Sequence, residues 1–547
     1  MIRWTQPEAL DPAWREGLLG PGQLFELTDE PVLGQVLPVF AQRLRSVAEI
    51  LQRAAGNHGD RLMLIGPART VTYAEAPAAV GRVARVLVEG YGVMPGDRVA
   101  VSGGFSIDHA LTLWAIAHAG AVAVTLNPRW TASEISHSVA LTTPVLAVVD
   151  DDVIEHLPDS IRVTRFVDLV GASGLVAPLD PIAVDEDDPF AIVFTSGTTG
   201  RPKGATLSHR NAVHFSLAAA ATSAVNSIIH ELPSGGGTPT VIACSPLFHV
   251  SGLLGHLTNG AFWGMTLVVA PAGRWDETVH LELTERHRVT SWSIVPTQLL
   301  RLVDHPKLDD YDLSSLEIVG GGGASFAPDL MRRTAERLPH VAPALRVGYG
   351  MTETAGTVTM LQPPIPDEHR SSVGTAVAGT CIEIRDPSGA AMADGDIGQI
   401  WARGAQVFLG YWADEAATAA ALDRERWYAT GDFGRIVDGY LHLESRLRDL
   451  IIRGGENIYP IEIENRLVAH PAIAEAAVLG APHPTLGQQV MAVCVRRDGL
   501  EVTDEEVRAW VAAEHARYKV PSIVEFRDAL PRNDTGKVQK DQLLPET

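Results

Sequence analysis

Thr195-Ser196-Gly197-Thr198-Thr199-Gly200-Arg201-Pro202-Lys203-Gly204 is the segment richest in chemistry. An apolar strand, Ala191–Phe194, is expected to run directly into it. Glycines free the backbone so that successive N–H groups can turn toward an anion. The hydroxyls of Thr195, Ser196, Thr198 and Thr199 add donors, and Lys203 adds a charge. This is the chemistry of a phosphate cradle. It is not a Walker A loop, which needs Gly-Lys-Ser/Thr at a fixed distance from its first Gly. Counted from Gly197, those places hold Pro202, Lys203 and Gly204, so no hydroxyl follows the lysine to hold a metal.

The loop resembles the signature loop of the ANL superfamily: acyl-CoA synthetases, peptide-synthetase adenylation domains and luciferases. Further segments resemble that family's motifs in order. Gly348-Tyr349-Gly350-Met351-Thr352-Glu353-Thr354 is similar to its next motif. The resemblance implies Tyr349 and Gly350 near adenine, Thr352 at phosphate and Glu353 on magnesium. A carboxylate beside a triphosphate makes sense only with a cation between them. Gly320-Gly321-Gly322-Gly323-Ala324, after an expected strand Leu316–Val319, resembles the adenine-contacting segment. Tyr428-Ala429-Thr430-Gly431-Asp432 resembles the motif whose Asp accepts both ribose hydroxyls. Arg446 would contact ribose or phosphate, and Arg448 falls at the family's pivot. Gly454 and Gly455 would line a pantetheine channel. Lys537, in Pro531-Arg532-Asn533-Asp534-Thr535-Gly536-Lys537, falls where the family has its catalytic lysine.

The resemblance spans about residues 46–544 and implies a two-step reaction. A substrate carboxylate attacks the α-phosphorus of ATP and pyrophosphate leaves. A thiol, coenzyme A, then takes the acyl group. Both reactants of the first step are anionic, so cations and donors must steady the α-phosphoryl oxygens. ATP, Mg2+ and coenzyme A are the implied cofactors. Two alternatives remain open: a single half-reaction on a supplied acyl-adenylate, and transfer to a carrier protein. Pro246-Leu247-Phe248-His249-Val250 resembles a segment that gates the acyl channel, which makes His249 a candidate. Trp263, Val295 and Met351 are candidate lining residues whose apolar character suggests a hydrophobic acid. Ser445, His483 and Gln488 depart from the family's usual residues.

Positioning such groups takes a large scaffold. The chain has 547 residues, enough for several structural units and a core that needs no disulfides. Its three cysteines, Cys244, Cys381 and Cys494, form no CxxC pair. A net charge of −22 with no Lys/Arg run argues against a nucleic-acid partner. No signal peptide is legible, and the apolar stretch Ala110–Leu126 is shorter than a membrane span, so a cytoplasmic protein is expected. A homodimer is left open.

From Ser46, short apolar strands alternate with helices: helix Val47–Ala55, strand Arg61–Ile65, helix Tyr73–Gly90, strand Arg98–Ser102, strand Val145–Val149. That order implies parallel sheets covered by helices. Between Cys381 and Arg403 the period switches to antiparallel hairpins around the turn Asp386-Pro387-Ser388-Gly389. The expected fold is α/β: a large N-terminal domain of stacked α/β sheets plus a small β-barrel-like subdomain, and a small mobile α+β C-terminal domain. The expected bounds are an arm at 1–46, the large domain at 47–446 and the small one at 447–547. Residues 225–240 read as a surface loop around Pro233–Gly237.

Overall fold

The computed structural model describes residues 1–4, 11–174, 176–195, 201–230, 239–322, 328–341, 345–446, 449–453, 456–533 and 537–544. Two large sheets carry the N-terminal part. The first has seven strands, with Pro189–Thr195, Val122–Thr125, Arg98–Ser102, Leu146–Val149 and Val163–Arg165 running parallel. Strand Lys203–Ser208 closes it antiparallel to Pro189–Thr195, and the short strand Gly410–Tyr411 pairs outside that. The second has nine strands, parallel from Leu345–Met351 through Ile318–Gly322, Ser291–Ser293, Thr240–Ile242 and Thr266–Val268 to Leu62–Ile65.

The parallel strands read as unbroken apolar runs because helices cover both faces. Strands Val122–Thr125 and Leu146–Val149 are buried at every position. The largest core cluster joins both sheets, with Val99, Val101 and Val193 from one and Leu64, Val241 and Leu267 from the other. Helix Ile107–His118 is buried all round, as a helix sandwiched between layers must be. Its N-cap Ser106 accepts a hydrogen bond from His109 N–H. Helix His209–Ile229, started by the Ser208/Asn211 capping box, is the one described helix long and apolar enough to cross a membrane. Half of that apolar window is buried inside the protein.

The antiparallel unit is a five-stranded sheet in the order Ile2–Arg3, Thr380–Arg385, Gly398–Gly404, Tyr428–Val437, Tyr440–Arg446. The hairpin expected around 386–389 joins its second and third strands. The N-terminal segment does more than wrap the surface. Ile2–Arg3 supplies an edge strand, and Leu27–Val32 pairs with Gln35–Phe40 in a hairpin that buries Leu37, Val39 and Phe40. Arg43, buried behind it, pairs with Glu30 and Glu186. No hydrophobic period announces these short pieces. Their partners lie in distant parts of the chain, which is why the segment reads as irregular.

The smaller C-terminal domain pairs Ile473–His483 with Gly487–Arg496, adds Ile451–Arg453 and Glu456–Ile458, and sets Ile523–Phe526 parallel to the central strand. Helices Pro460–Val468 and Asp504–Ala512 pack on it over Ile463, Leu467, Val507 and Val511.

Candidate active site

One cavity of about 2310 Å3 runs between the large sheets and the C-terminal domain. Its wall takes Thr195 and Lys203 from the phosphate-loop strands, Gly321 and Gly322 from the glycine strand, and Gly350, Thr352 and Glu353 from the next. Asp432, His249 and the C-terminal Lys537 also border it. So do Trp263, Val295 and Met351. Thr195 and Lys203, which flank the hydroxyl-rich segment, thus border the same cleft as the tail lysine, though 342 positions separate Thr195 from Lys537. Ser196, Gly197, Thr198, Thr199, Gly200, Gly323, Ala324, Arg448, Gly454 and Gly455 lie outside the described residues, as do residues 231–238 of the loop expected at 225–240. Residues 225–229 are instead the end of helix His209–Ile229, because Val225, Ile228 and Ile229 pack against the core.

The glycine segment differs from its expected place. Gly320, Gly321 and Gly322 do not follow a strand; they are its last three residues, within Ile318–Gly322. Glycine carries little strand propensity, and pairing with Ser291–Ser293 and Leu345–Met351 on either side overrides it. A Cβ at Gly321 would run into the Ile294 carbonyl oxygen. Gly321→Ala should therefore lower stability by about 1–3 kcal/mol, as overpacking does. A melting temperature equal to that of the parent protein would contradict this.

Glu353 is 7 % exposed and sits on the turn Thr352–Thr354 that ends strand Leu345–Met351. Its Oε1 accepts a hydrogen bond from the Tyr411 hydroxyl at 2.9 Å, and its own carbonyl accepts one from Phe408 N–H. Tyr411 is held beside Lys203 because Gly410–Tyr411 pairs with strand Lys203–Ser208. The Lys203 Nζ lies 5.1 Å from the centre of the Tyr411 ring, within cation–π range. Burial, and then the Glu353 carboxylate, push the Tyr411 phenol above its usual range, so it stays protonated and donates. Sequence reasoning missed Tyr411. Its one local signal is an aromatic in a Gly-Tyr-Trp run, 58 residues beyond Glu353. Removing a hydrogen bond to a charged group typically costs about 1.5–3 kcal/mol. Tyr411→Phe should slow acyl-adenylate formation by roughly tenfold or more, read by pyrophosphate release; an unchanged rate would deny it a positioning role.

Tyr349 sits behind the cavity wall. Its ring, 7 % exposed, packs with Val358, Ile382 and Ile400, and its hydroxyl donates to Asp432 Oδ2 at 2.9 Å. The ring was expected beside adenine; here the residue holds the carboxylate expected at ribose. Arg446 stands opposite Asp432 in the antiparallel pair, and its side chain lies outside the described part. His249 follows Phe248, ring centres 4.5 Å apart, just before the wide helix Ser251–Thr258.

The Lys537 loop is tied back onto the C-terminal domain. Lys537 N–H donates to Asn533 Oδ1 at 2.9 Å, and Asn533 N–H donates to the Lys537 carbonyl at 2.9 Å. Arg532 pairs with Glu475, and Lys540 pairs with Glu464. Gln488 also borders the cavity, and its Oε1 accepts from Ile452 N–H at 2.7 Å.

The AMP-binding enzyme family matches residues 51–412, and its C-terminal domain family matches residues 462–537. The chain belongs to the AMP-binding enzymes. It is 35% identical over 477 residues to a feruloyl-CoA synthase of an Amycolatopsis species, covering 86% of this chain and 93% of that one. It is 34% identical over 515 residues to the indoleacetate–CoA ligase of Aromatoleum aromaticum, covering 91% and 97%. Among solved structures, the ATP-bound MatB of Rhodopseudomonas palustris superposes with a TM-score of 0.81 at 31% identity, covering 91% of this chain and 98% of that one. The o-succinylbenzoate-CoA synthetase MenE of Bacillus subtilis, with its acyl-adenylate intermediate, gives 0.78 at 29%, covering 92% and 99%. This AMP-binding enzyme is an acid–thiol ligase of the ANL superfamily. It activates a carboxylic acid with ATP and passes the acyl group to coenzyme A. The stacked α/β sheets and smaller C-terminal domain are those the resemblance implied.

Proposed function

We propose that Lys537, Lys203 and the hydroxyls of Thr195 and Thr352 steady charge on the α-phosphoryl group of ATP while a substrate carboxylate attacks it. The observation that carries this reading is the placement of Lys537 and Thr195 on one cavity wall. Attack forms the acyl–phosphate bond and breaks the bond to the leaving pyrophosphate, so negative charge grows on oxygens that both lysines can approach. Asp432, oriented by the Tyr349 hydroxyl, accepts hydrogen bonds from the ribose hydroxyls. Gly321 and Gly322, without side chains, leave room for the base.

Among the described residues no three His, Cys, Asp or Glu side chains gather into a metal cage. Magnesium needs none, because it keeps waters and takes one or two carboxylates together with a substrate's phosphates. Glu353, buried and bordering the cavity, fits that demand and would hold the ion. When bound, it would neutralise charge on the phosphate oxygens.

In the second step the thiol of coenzyme A displaces AMP. The proposed boundary lies at 446–447, and rotation there would withdraw Lys537 and bring Gly454 and Gly455 to the thiol. The acid is proposed to be largely hydrophobic, since Trp263, Val295 and Met351 border the cavity. A panel of carboxylic acids with ATP, magnesium and coenzyme A, read by thioester formation, tests the whole reading. Supplied acyl-adenylates separate the two steps. Absence of both pyrophosphate release and thioester with every acid would overturn it. The reading places the enzyme in the cytoplasm, where ATP and coenzyme A are supplied, and cell fractionation tests that. A homodimer is tested by sedimentation at micromolar concentration; a single monomeric species excludes it.

A further inference from the structure

An arginine on an apolar strand beside a substrate cavity needs a reason. Arg346 occupies the second position of strand Leu345–Met351, where Leu345, Val347 and Tyr349 are buried and Arg346, Gly348 and Gly350 are half-buried and border the cavity. Among the described residues its guanidinium has one partner, the Ser223 hydroxyl at the long distance of 3.5 Å. Among the described residues no carboxylate stands near enough to influence it, and burial pushes its pKa below the usual arginine range. Even a half-buried cation without a counter-charge is costly unless something else satisfies it.

Its place separates it from the phosphates, although its strand partner Gly320 adjoins the base-side glycines. In open parallel sheets the nucleotide sits beyond the carboxyl ends of the strands. Those ends hold Gly350, Thr352 and Glu353, whereas Arg346 lies four residues upstream, about 13 Å along an extended strand. Between them the cavity is bounded by apolar side chains, including Phe215 and Ala219 of helix His209–Ile229 and Met360 of the neighbouring strand. Ser223 belongs to the same helix.

A second polar group borders the same cavity. His256 is 3 % exposed, and among the described residues neither of its ring nitrogens has a hydrogen-bond partner. Burial holds its pKa down at about 4, so it is neutral, with one donor and one acceptor unused. It sits in the wide-turn helix Ser251–Thr258, which packs against the helix carrying Ser223. A buried polar group left unmatched needs an explanation, and beside a substrate cavity a ligand group is one.

We infer that the acid activated by this enzyme has an apolar body and a hydrogen-bond acceptor, a carboxylate or carbonyl oxygen, at the end far from the reacting carboxyl, and that Arg346 receives it. His256 supplies a second polar contact on the same ligand. The inference rests on the acid-activating function proposed above and narrows its substrate. A site built to hydrogen-bond a substrate group rejects the analogue lacking it far more strongly than an apolar pocket rejects an altered methylene.

The test uses the full-length enzyme with ATP, magnesium and coenzyme A. Straight-chain acids ending in a methyl group are compared with acids of equal length ending in a second carboxylate or a methyl ketone. At least one acceptor-ended acid should show a kcat/KM about tenfold or more above its methyl-ended twin, mainly through KM. In Arg346→Met that preference should vanish, and Arg346→Lys should restore part of it. Equal use of both series by the parent enzyme overturns the inference, as does a preference that survives in Arg346→Met. The parent enzyme's own preference decides the matter if the variant does not fold. Failure of every acid to release pyrophosphate would instead sink the acid-activating function, and this inference with it.

Discussion

Lys537→Ala should lose at least about a hundredfold in acyl-adenylate formation, while thioester formation from a supplied acyl-adenylate falls far less. The asymmetry follows from where charge develops. Only the first step gathers a carboxylate, a triphosphate and a leaving pyrophosphate in one place. At ~4 Å and an effective dielectric of about 20, one cation–anion contact is worth roughly 4 kcal/mol, enough for a loss of that size. The Asn533 hydrogen bonds at 2.9 Å hold the backbone of Lys537, so the substitution removes the ammonium and leaves the loop anchored. Pyrophosphate exchange reads the first step, and thioester yield from synthetic acyl-adenylate reads the second. Equal losses in both would remove Lys537 from its assigned role.

Glu353→Gln is the second large effect. Glutamine keeps the size of the side chain and an oxygen for the Tyr411 hydroxyl, so the buried turn should hold. What disappears is a negative charge beside the phosphate-loop strands. Adenylation should fall by about a hundredfold or more. The magnesium concentration for half-maximal rate should rise, because a hard divalent cation loses an anionic oxygen ligand. Tyr411→Phe should show a smaller change of the same kind, since it disturbs only the orientation of that carboxylate. A Glu353→Gln enzyme with a parental magnesium curve would deny the carboxylate any part in holding the ion.

Much of this protein is legible in its sequence alone. Strand Arg98–Ser102 coincides with the apolar run that announced it, and Leu146–Val149 falls within the run at 145–149. Helix Val47–His58 starts at the Ser46 cap, as its period required. These elements are specified by their own residues, because burial on both faces demands a continuous apolar run and a helix demands its 3.6-residue stripe. Where partners are distant, local reading gave out. The edge strand Ile2–Arg3 exists because Cys381 and Ile382 offer it hydrogen bonds. The glycines 320–322 form strand because two neighbours pair with them.

The candidate site divides along the same line. Residue types and order alone determined that a phosphate cradle, a carboxylate and a tail lysine belong to one acid-activating ligase, since chemistry constrains which side chains such a reaction can use. Tertiary structure alone decided that Tyr411 holds Glu353, that Tyr349 holds Asp432, and that Arg346 and His256 border the one cleft. Those pairings join residues 58 and 83 positions apart, and a hydrogen bond formed through folding leaves no mark on the local pattern of either partner.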